Sequence, residues 1–239
     1  MGMPITIEII DQATKSVFDE LFTYFKQIDA RYSTYKPQSE VSLINSGLPR
    51  NKWSDEIKSV LKLCDETKQL TDGYFDVYHD GRFDPSGLVK GWAIHHASEE
   101  LRGLGFENFY VEAGGDIQVS GHNEDKQPWS VGIRNPFNID EIIKVIRLTT
   151  EGIATSGTYI RGQHIYNPHG DSKPTDSVKS FTVIGPDIYE ADRFATAAFA
   201  MGKKGIAFIQ AMPHLEGYTV DSDKVATYTS GFERYLARA

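Results

Sequence analysis

The chain has 239 residues, of which 40% are apolar, 12% aromatic and 24% charged, a composition typical of a globular protein and not of a disordered one. Its formal charge of −8 argues against a general nucleic-acid or anionic-membrane binder, because such binding depends on clustered Lys and Arg side chains. Any phosphate group that binds must therefore be held locally, by a metal ion or by backbone N–H groups.

Hydrophobic periodicity predicts interleaved helices and strands along the chain. In chain order it predicts a strand at 4–10, helices at 17–28, 55–70 and 91–104, strands at 107–113, 115–120, 129–134, 144–149 and 179–184, helices at 189–202 and 205–212, and a strand at 217–221. The consecutive strands in the middle favour antiparallel pairing over a wound parallel sheet. We therefore predict an α+β fold with two lobes that share one core. Since no repeat or low-complexity linker is evident, we expect a single domain over 1–239.

Targeting signals and cysteine content bear on the cellular compartment. The one cysteine, Cys64, cannot form an internal disulfide, and it occupies an apolar position of the helix predicted at 55–70. The N-terminal residues lack the basic and apolar regions of a signal peptide, and no apolar run approaches the ~18 residues that predict a transmembrane segment. We therefore expect a cytoplasmic protein, unless a leader has been removed.

Two polar clusters in the first half contain residues suited to chemistry, although each also has a purely structural interpretation. The stretch 33–40, taken alone, is a loop with a Ser–Glu helix cap. The stretch 72–93 contains carboxylates at 76, 80 and 84, glycines at 81, 87 and 91, and Lys90. A glycine-rich turn that runs into a helix N-terminus suits a phosphate group, but this one matches neither the Walker A nor the dinucleotide-binding pattern.

Two further clusters lie in the second half. Residues 152–170 are small and hydroxyl-rich and include His164 and His169; taken alone, their Thr-Ser-Gly is ordinary turn chemistry, and a lone loop histidine is usually a hydrogen-bonded surface group. Asp192 and Thr196 are four residues apart, so on a helix their oxygens share a face and suit a hard cation. The structural alternative is that Asp192 caps the first turn and Thr196 bonds back to a carbonyl.

Taken together and in this order, the clusters resemble the ApbE-like family of FAD:protein FMN transferases. The resemblance covers nearly the whole chain and is carried by "MGMPITIEI", "STYKPQSEVSLIN", "GYFDV", "DPSGLVKGWA", "FYVEAGGDIQVSG", "GIATSGTY", "HIYNP" and "ADRFATAAFAMG". It implies a T-fold-like, two-lobed α+β architecture with largely antiparallel sheets and packed helices. It also implies that the protein binds FAD and Mg²⁺ and moves the FMN half of FAD to a Thr or Ser hydroxyl in a motif of an acceptor protein, releasing AMP.

The resemblance implies a role for individual residues as well. The residues expected to contact FAD are Met1, Tyr35, Tyr74, Phe75, Asp76, Asp84, Lys90 and Ile165. Mg²⁺ would be held by Asp192, Thr196 and the backbone carbonyl of Gly87, an oxygen-only set that this ion prefers. His164 is the candidate catalytic base or orienting group for the attacking hydroxyl, because imidazole titrates near neutral pH.

Two other activities stay open at this point: an FAD pyrophosphatase that produces FMN and AMP, and an FAD-binding protein that has lost the reaction. The presence of Asp192, Thr196, Lys90 and His164 favours an enzyme. One departure concerns the segment before Asp84, where only "YHDGRF" follows "FDV" although relatives often have tens of residues there. The wall of the flavin pocket should therefore be shorter or built differently.

The stretch "VEAGGDIQVSG" combines two strand-like runs with a double glycine and an acid. Considered alone, Gly114 and Gly115 form a turn or bulge. With the resemblance, we expect them to be the place where the backbone approaches the bound nucleotide, because a residue without a Cβ leaves room there. We expect Asp116 to accept backbone N–H bonds beside the site and not to bind the metal.

Overall fold

A computed structural model describes residues 2–157, 165–169 and 177–237 of the chain. The strands in these residues are β1 (Ile5–Ile9), β2 (Tyr78–His79), β3 (Arg82–Phe83), β4 (Phe109–Ala113), β5 (Asp116–Ser120), β6 (Trp129–Asn135), β7 (Asn138–Leu148), β8 (Gly152–Gly157), β9 (Val178–Gly185), β10 (Glu216–Asp221) and β11 (Ala226–Tyr228). The α-helices are α1 (Lys15–Tyr32), α2 (Glu40–Asn45), α3 (Asp55–Leu70), α4 (Ser86–Gly103), α5 (Ile188–Ala200) and α6 (Gly205–Gln210), with short 3₁₀ segments at Arg50–Lys52, Gly202–Lys204 and Phe232–Tyr235.

The central sheet is antiparallel throughout. Among the described strands it has the order β1-β4-β5-β8-β9-β10-β11, and every neighbouring pair runs antiparallel. Two hairpins, β2–β3 and β6–β7, stand outside it. The predicted α+β fold with largely antiparallel sheets is therefore confirmed. None of the described helices combines the length and the apolar character needed to cross a bilayer.

The two faces of the sheet bury two different apolar clusters. The larger cluster lies between the sheet and the helices, and the smaller one lies between the other face and the β6–β7 hairpin. Because side chains alternate along a strand, Ile117 and Val119 of β5 enter the smaller cluster, whereas Asp116 and Gln118 face the helices. The Gln118 amide oxygen accepts the backbone N–H of Ile188 at 2.8 Å, at the start of α5. This contact attaches α5 to the sheet directly beside Asp116.

Helices α4 and α5 approach each other closely at Gly91. A Cβ at this position would lie 2.6 Å from the Cβ of Asp192 and 2.7 Å from the carbonyl oxygen of Ile188. Any larger residue would therefore force the two helices apart. This glycine places the Asp192 carboxylate against the first turns of α4, since the backbone N–H of Gly91 donates to Asp192 Oδ2 at 2.7 Å.

Several predicted elements needed correction. The helix predicted at 91–104 begins earlier, at Ser86, so that the glycine-rich stretch before it is its first turn and not a loop. The interpretation of Thr-Ser-Gly at 155–157 as a turn is wrong, because these residues end β8, a strand paired on both sides within the sheet. The loop predicted at 33–40 leads into α2, whose expected serine cap is confirmed: Ser39 Oγ accepts the N–H of Ser42 at 3.0 Å.

We expect Gly152→Ala to destabilise the fold strongly. A Cβ on Gly152 would lie 2.0 Å from the backbone nitrogen of Ile188, and the backbone cannot rotate away as a flexible side chain can. We expect a loss of about 3 kcal/mol in the free energy of unfolding, measured by urea denaturation. The matched control is Gly103→Ala, where nothing lies within 4 Å of the added Cβ, and it should be neutral or slightly stabilising. Equal stabilities for the two variants would contradict this packing.

Candidate functional site

A cavity of about 450 Å³ opens between the α4–α5 pair, the β2–β3 hairpin and the ends of β4 and β8. Ten predicted site residues line it: Tyr35, Tyr74, Phe75, Asp76, Asp84, Gly87, Lys90, Ile165, Asp192 and Thr196. The other two predicted residues, Met1 and His164, lie outside the described residues. The fold thus gathers into one cavity residues that the sequence distributes over widely separated segments.

Lys90 lies between two buried carboxylates. Its ammonium is in ion-pair contact with Asp116 and lies 3.6 Å from Asp192 Oδ1. Asp116 is 1% exposed and Asp192 is 2% exposed. Two carboxylates that share one ammonium leave a net negative charge, which a second cation at the same place would offset.

The protonation of Asp192 depends on its surroundings. Burial raises the pKa of its carboxyl group above the usual range, the Lys90 ammonium lowers it, and the Asp116 carboxylate raises it again. A cation beside the carboxylate would favour the ionised form.

Thr196 and Gly87 bring two further oxygens to the same place. Thr196 Oγ1 lies 3.4 Å from the carbonyl oxygen of Gly87 and 3.4 Å from Ser156 Oγ. Asp187, and not Asp192, caps α5, since its side chain accepts the N–H of Glu190. The interpretation of Asp192 as a helix cap is therefore wrong.

The oxygens of Asp192, Thr196 and Gly87 together fit a hard cation such as Mg²⁺. One is a carboxylate, one a hydroxyl and one a backbone carbonyl, and all three residues line the cavity. Across the residues that the structure describes, no three His, Cys, Asp or Glu side chains converge on a common metal position. The candidate set consists of oxygen atoms alone, the ligand type that Mg²⁺ prefers.

The double glycine forms a tight hairpin turn. Ala113 pairs with Asp116, and the two connecting residues, Gly114 and Gly115, have positive φ angles of 61° and 93°. Gly114 lines the cavity, so the backbone of this turn does border the space for a ligand. The expected role of Asp116 in backbone hydrogen bonding is confirmed, because its Oδ1 accepts the N–H of Thr155 at 3.1 Å. Its ion pair with Lys90 was not anticipated.

The aromatic and acidic residues predicted to contact FAD differ in their exposure. Phe75 is 2% exposed and forms part of the inner wall, whereas Tyr35 is 93% exposed at the rim. The Asp76 carboxylate accepts the Lys68 ammonium at 2.8 Å and the backbone N–H of Tyr78 at 3.0 Å. Asp76 therefore also holds the β2 strand in place.

Sequence reasoning missed several polar residues of the cavity. They include Asn45, His79, Arg82, Ser156 and Tyr166. The sequence does contain a pattern that indicates His79 and Arg82. The Asp-Gly between them is typical of a two-residue hairpin loop, which places its flanking residues opposite each other. The strand alternation of β8 would likewise have placed Ser156 on the helix side of the sheet.

The short segment 165–169 is attached at both ends to the stretch that leads from α3 to β2. The Tyr166 hydroxyl donates to the carbonyl oxygen of Tyr78 at 2.7 Å. His169 Nε2 lies 2.6 Å from the carbonyl oxygen of Asp72, and its ring is exposed. The interpretation of His169 as a hydrogen-bonded surface group is confirmed.

Comparison with protein families identifies the chain. The model of the ApbE family matches residues 1–82 and 78–219. The chain belongs to the ApbE family. Among curated relatives, the FAD:protein FMN transferase of Vibrio cholerae is 31% identical over 168 residues, which is 65% of this chain and 50% of the relative. That of Haemophilus influenzae is 27% identical over 198 residues, 77% of this chain and 56% of the relative. The chain thus spans about half the length of these ApbE-family relatives.

Solved structures share the ApbE fold with this chain. The flavin transferase ApbE from Vibrio cholerae superposes with a TM-score of 0.86 at 24% identity, covering 99% of this chain and 96% of that one. The flavinyl transferase ApbE of Pseudomonas stutzeri in its apo form gives a TM-score of 0.82 at 21% identity, with 99% and 95% covered. At these identities the likeness establishes the fold and not the chemistry.

Proposed function

We propose that the protein transfers FMN from FAD to a Thr or Ser hydroxyl of an acceptor protein, releases AMP and requires Mg²⁺. The observation that carries the proposal is the buried cluster of Asp116, Lys90 and Asp192, with Thr196 beside it, at the wall of a cavity in an ApbE-family fold. The cavity volume of about 450 Å³ lies within the range of small-molecule sites. Membership of the family and the names of the relatives support the flavin as the group transferred.

The proposed reaction breaks the phosphoanhydride bond of FAD and forms a phosphoester bond to the acceptor. The acceptor hydroxyl oxygen forms a bond to the phosphorus of the FMN half, and the bond from that phosphorus to the bridging pyrophosphate oxygen breaks. AMP leaves with the bridging oxygen, and the hydroxyl proton passes to a base. His164, which lies outside the described residues, remains the predicted base.

The described residues would support this reaction by positioning charge. Asp192, Thr196 and the Gly87 carbonyl would hold Mg²⁺, which when bound neutralises charge on the pyrophosphate oxygens. Lys90 keeps the Asp116 and Asp192 carboxylates together, and Asp116 also accepts the Thr155 N–H, so that α4, α5 and the sheet share one rigid site. Such preorganised charge is the main contribution that a protein makes to phosphoryl-type transfer.

Incubation with FAD, Mg²⁺ and a protein that bears a candidate Ser/Thr acceptor motif tests the proposal. We expect the acceptor to gain the mass of an FMN group and to show in-gel flavin fluorescence, with AMP appearing in equal amount. Production of FMN and AMP without a labelled acceptor would select an FAD pyrophosphatase instead. FAD that stays intact under all conditions would leave only an FAD-binding protein.

A further inference from the structure

The short β2–β3 hairpin presents two different faces. On one face, Tyr78 and Phe83 are cross-strand partners whose rings lie 5.5 Å apart, and Phe83 is buried in the core. Asn45 holds the same strand through both of its amide atoms, accepting the N–H of Phe83 at 2.8 Å and donating to its carbonyl at 2.9 Å. The hairpin is therefore a rigid part of the protein and not a loose loop.

The opposite face of the hairpin also contributes to the cavity wall, which Phe83 lines as well. His79 and Arg82 are cross-strand partners, so their side chains lie on one side, and both line the cavity. The His79 ring stacks on the Tyr166 ring, with centroids 3.7 Å apart and planes at 29°. Tyr166 lines the cavity as well, so the stacked rings belong to the same wall as Arg82.

Within the described part of the chain, Arg82 is a guanidinium that lines this cavity and has no ion-pair partner. The Lys90 ammonium is shared by two carboxylates. Among the described residues, no carboxylate lies within ion-pair distance of Arg82. An arginine placed at a cavity wall without an acidic partner is suited to a bidentate contact with a phosphate group.

Three carboxylates act on the part of the cavity wall beside the hairpin. Burial, followed by the carboxylates of Asp76, Asp80 and Asp84, raises the pKa of Tyr166 to about 12. A phosphate anion that enters this part of the cavity would be repelled by these carboxylates. Arg82 is positioned to offset that repulsion.

We propose that Arg82 binds the pyrophosphate of FAD and so determines the preference of the cavity for a dinucleotide over a flavin that lacks phosphate. This inference rests on the proposed function, since it takes FAD as the ligand. The stacked His79 and Tyr166 rings line the same cavity as the guanidinium. The short hairpin thus supplies, through Arg82, a positive charge that the net-negative cluster around Lys90 does not offer.

Flavin-fluorescence titrations test this inference with the full chain, in Mg²⁺ and without acceptor protein, the FAD being checked for integrity by chromatography. We expect Arg82→Gln to raise the Kd for FAD about 10-fold and to leave the Kd for riboflavin within about 2-fold, because riboflavin has no phosphate. Arg82→Lys should retain part of the affinity, since the charge remains but the bidentate geometry is lost. Arg147→Gln, an exposed arginine outside the cavity, is the matched control.

The outcomes distinguish a failure of the Arg82 role from a failure of the proposed function. Wild-type protein that binds FAD together with an Arg82→Gln variant of equal affinity would overturn the role of Arg82 alone. An equal loss for FAD and riboflavin would show that Arg82 shapes the pocket and does not contact phosphate, which also overturns it. Wild-type protein that fails to bind FAD would instead overturn the proposed function, and this inference with it.

A second variant, Asp80→Asn, should strengthen FAD binding, because it removes a nearby negative charge. Asp80 has a positive φ angle, and Asn tolerates that conformation.

Discussion

Asp192→Asn is expected to lower FMN transfer by roughly 100-fold or more, because the variant loses the only charged oxygen of the candidate magnesium set. Asn removes the charge and keeps the hydrogen bond, since its side-chain oxygen can still accept the Gly91 N–H that Asp192 accepts at 2.7 Å. The fold should therefore survive while the affinity for Mg²⁺ falls. The measurement is the rate of acceptor labelling as a function of Mg²⁺ concentration, with circular dichroism to confirm folding.

The control for Asp192→Asn is Asp187→Asn in the same helix. Asp187 caps α5, and Asn is an equally good cap, so labelling and stability should stay near those of the wild type. Removal of Mg²⁺ with EDTA should abolish labelling by the wild type as completely as the Asp192 substitution does. Full turnover by Asp192→Asn at low Mg²⁺ would show that the metal is held elsewhere.

Lys90→Met should destabilise the protein by about 3 kcal/mol, because it leaves two buried carboxylates facing each other without a cation. The Lys90 ammonium pairs with Asp116 and lies 3.6 Å from Asp192, and both acidic residues are buried. Urea denaturation in Mg²⁺-free buffer measures the loss. Addition of Asp116→Asn to this variant should recover part of it, since one of the two unpaired charges is then removed.

Lys68→Met provides the comparison for Lys90→Met. Lys68 also pairs with a cavity carboxylate, Asp76, at 2.8 Å, but its side chain is 47% exposed. Solvent screens such a pair, so its loss should cost less than about 1 kcal/mol. If Lys90→Met proves as mild as Lys68→Met, the buried ionic cluster does not have the structural importance assigned to it.

The elements predicted well are those whose signals are local. Helix α3 spans Asp55–Leu70, as predicted, because an amphipathic pattern coincides with a serine cap whose hydroxyl accepts the N–H of Ile57. The four-residue spacing of Asp192 and Thr196 likewise predicted that their oxygens share a helix face, and both line the cavity. In each case the information lies within a few turns of one helix.

The elements predicted poorly are those decided by distant partners. The residues of β8 are small and hydroxyl-rich and suit a turn, yet they form a strand because β5 and β9 pair with it on either side. The β2–β3 hairpin is too short for a periodic pattern, and its position depends on the packing of Phe83 and on the hydrogen bonds from Asn45.

The sequence by itself determined the fold class, the family resemblance and most of the residues that meet in the cavity, because ordered motifs and residue spacing are properties of the chain alone. The tertiary structure decided which charges meet. That Lys90 lies against both Asp116 and Asp192 follows from the packing of α4 against α5 and the sheet, where Gly91 permits the close approach. That Arg82 faces the cavity without a carboxylate partner among the described residues follows from the register of the hairpin. Burial and pairing of charges arise only when distant segments pack together, and for that reason spacing along the chain could not predict them.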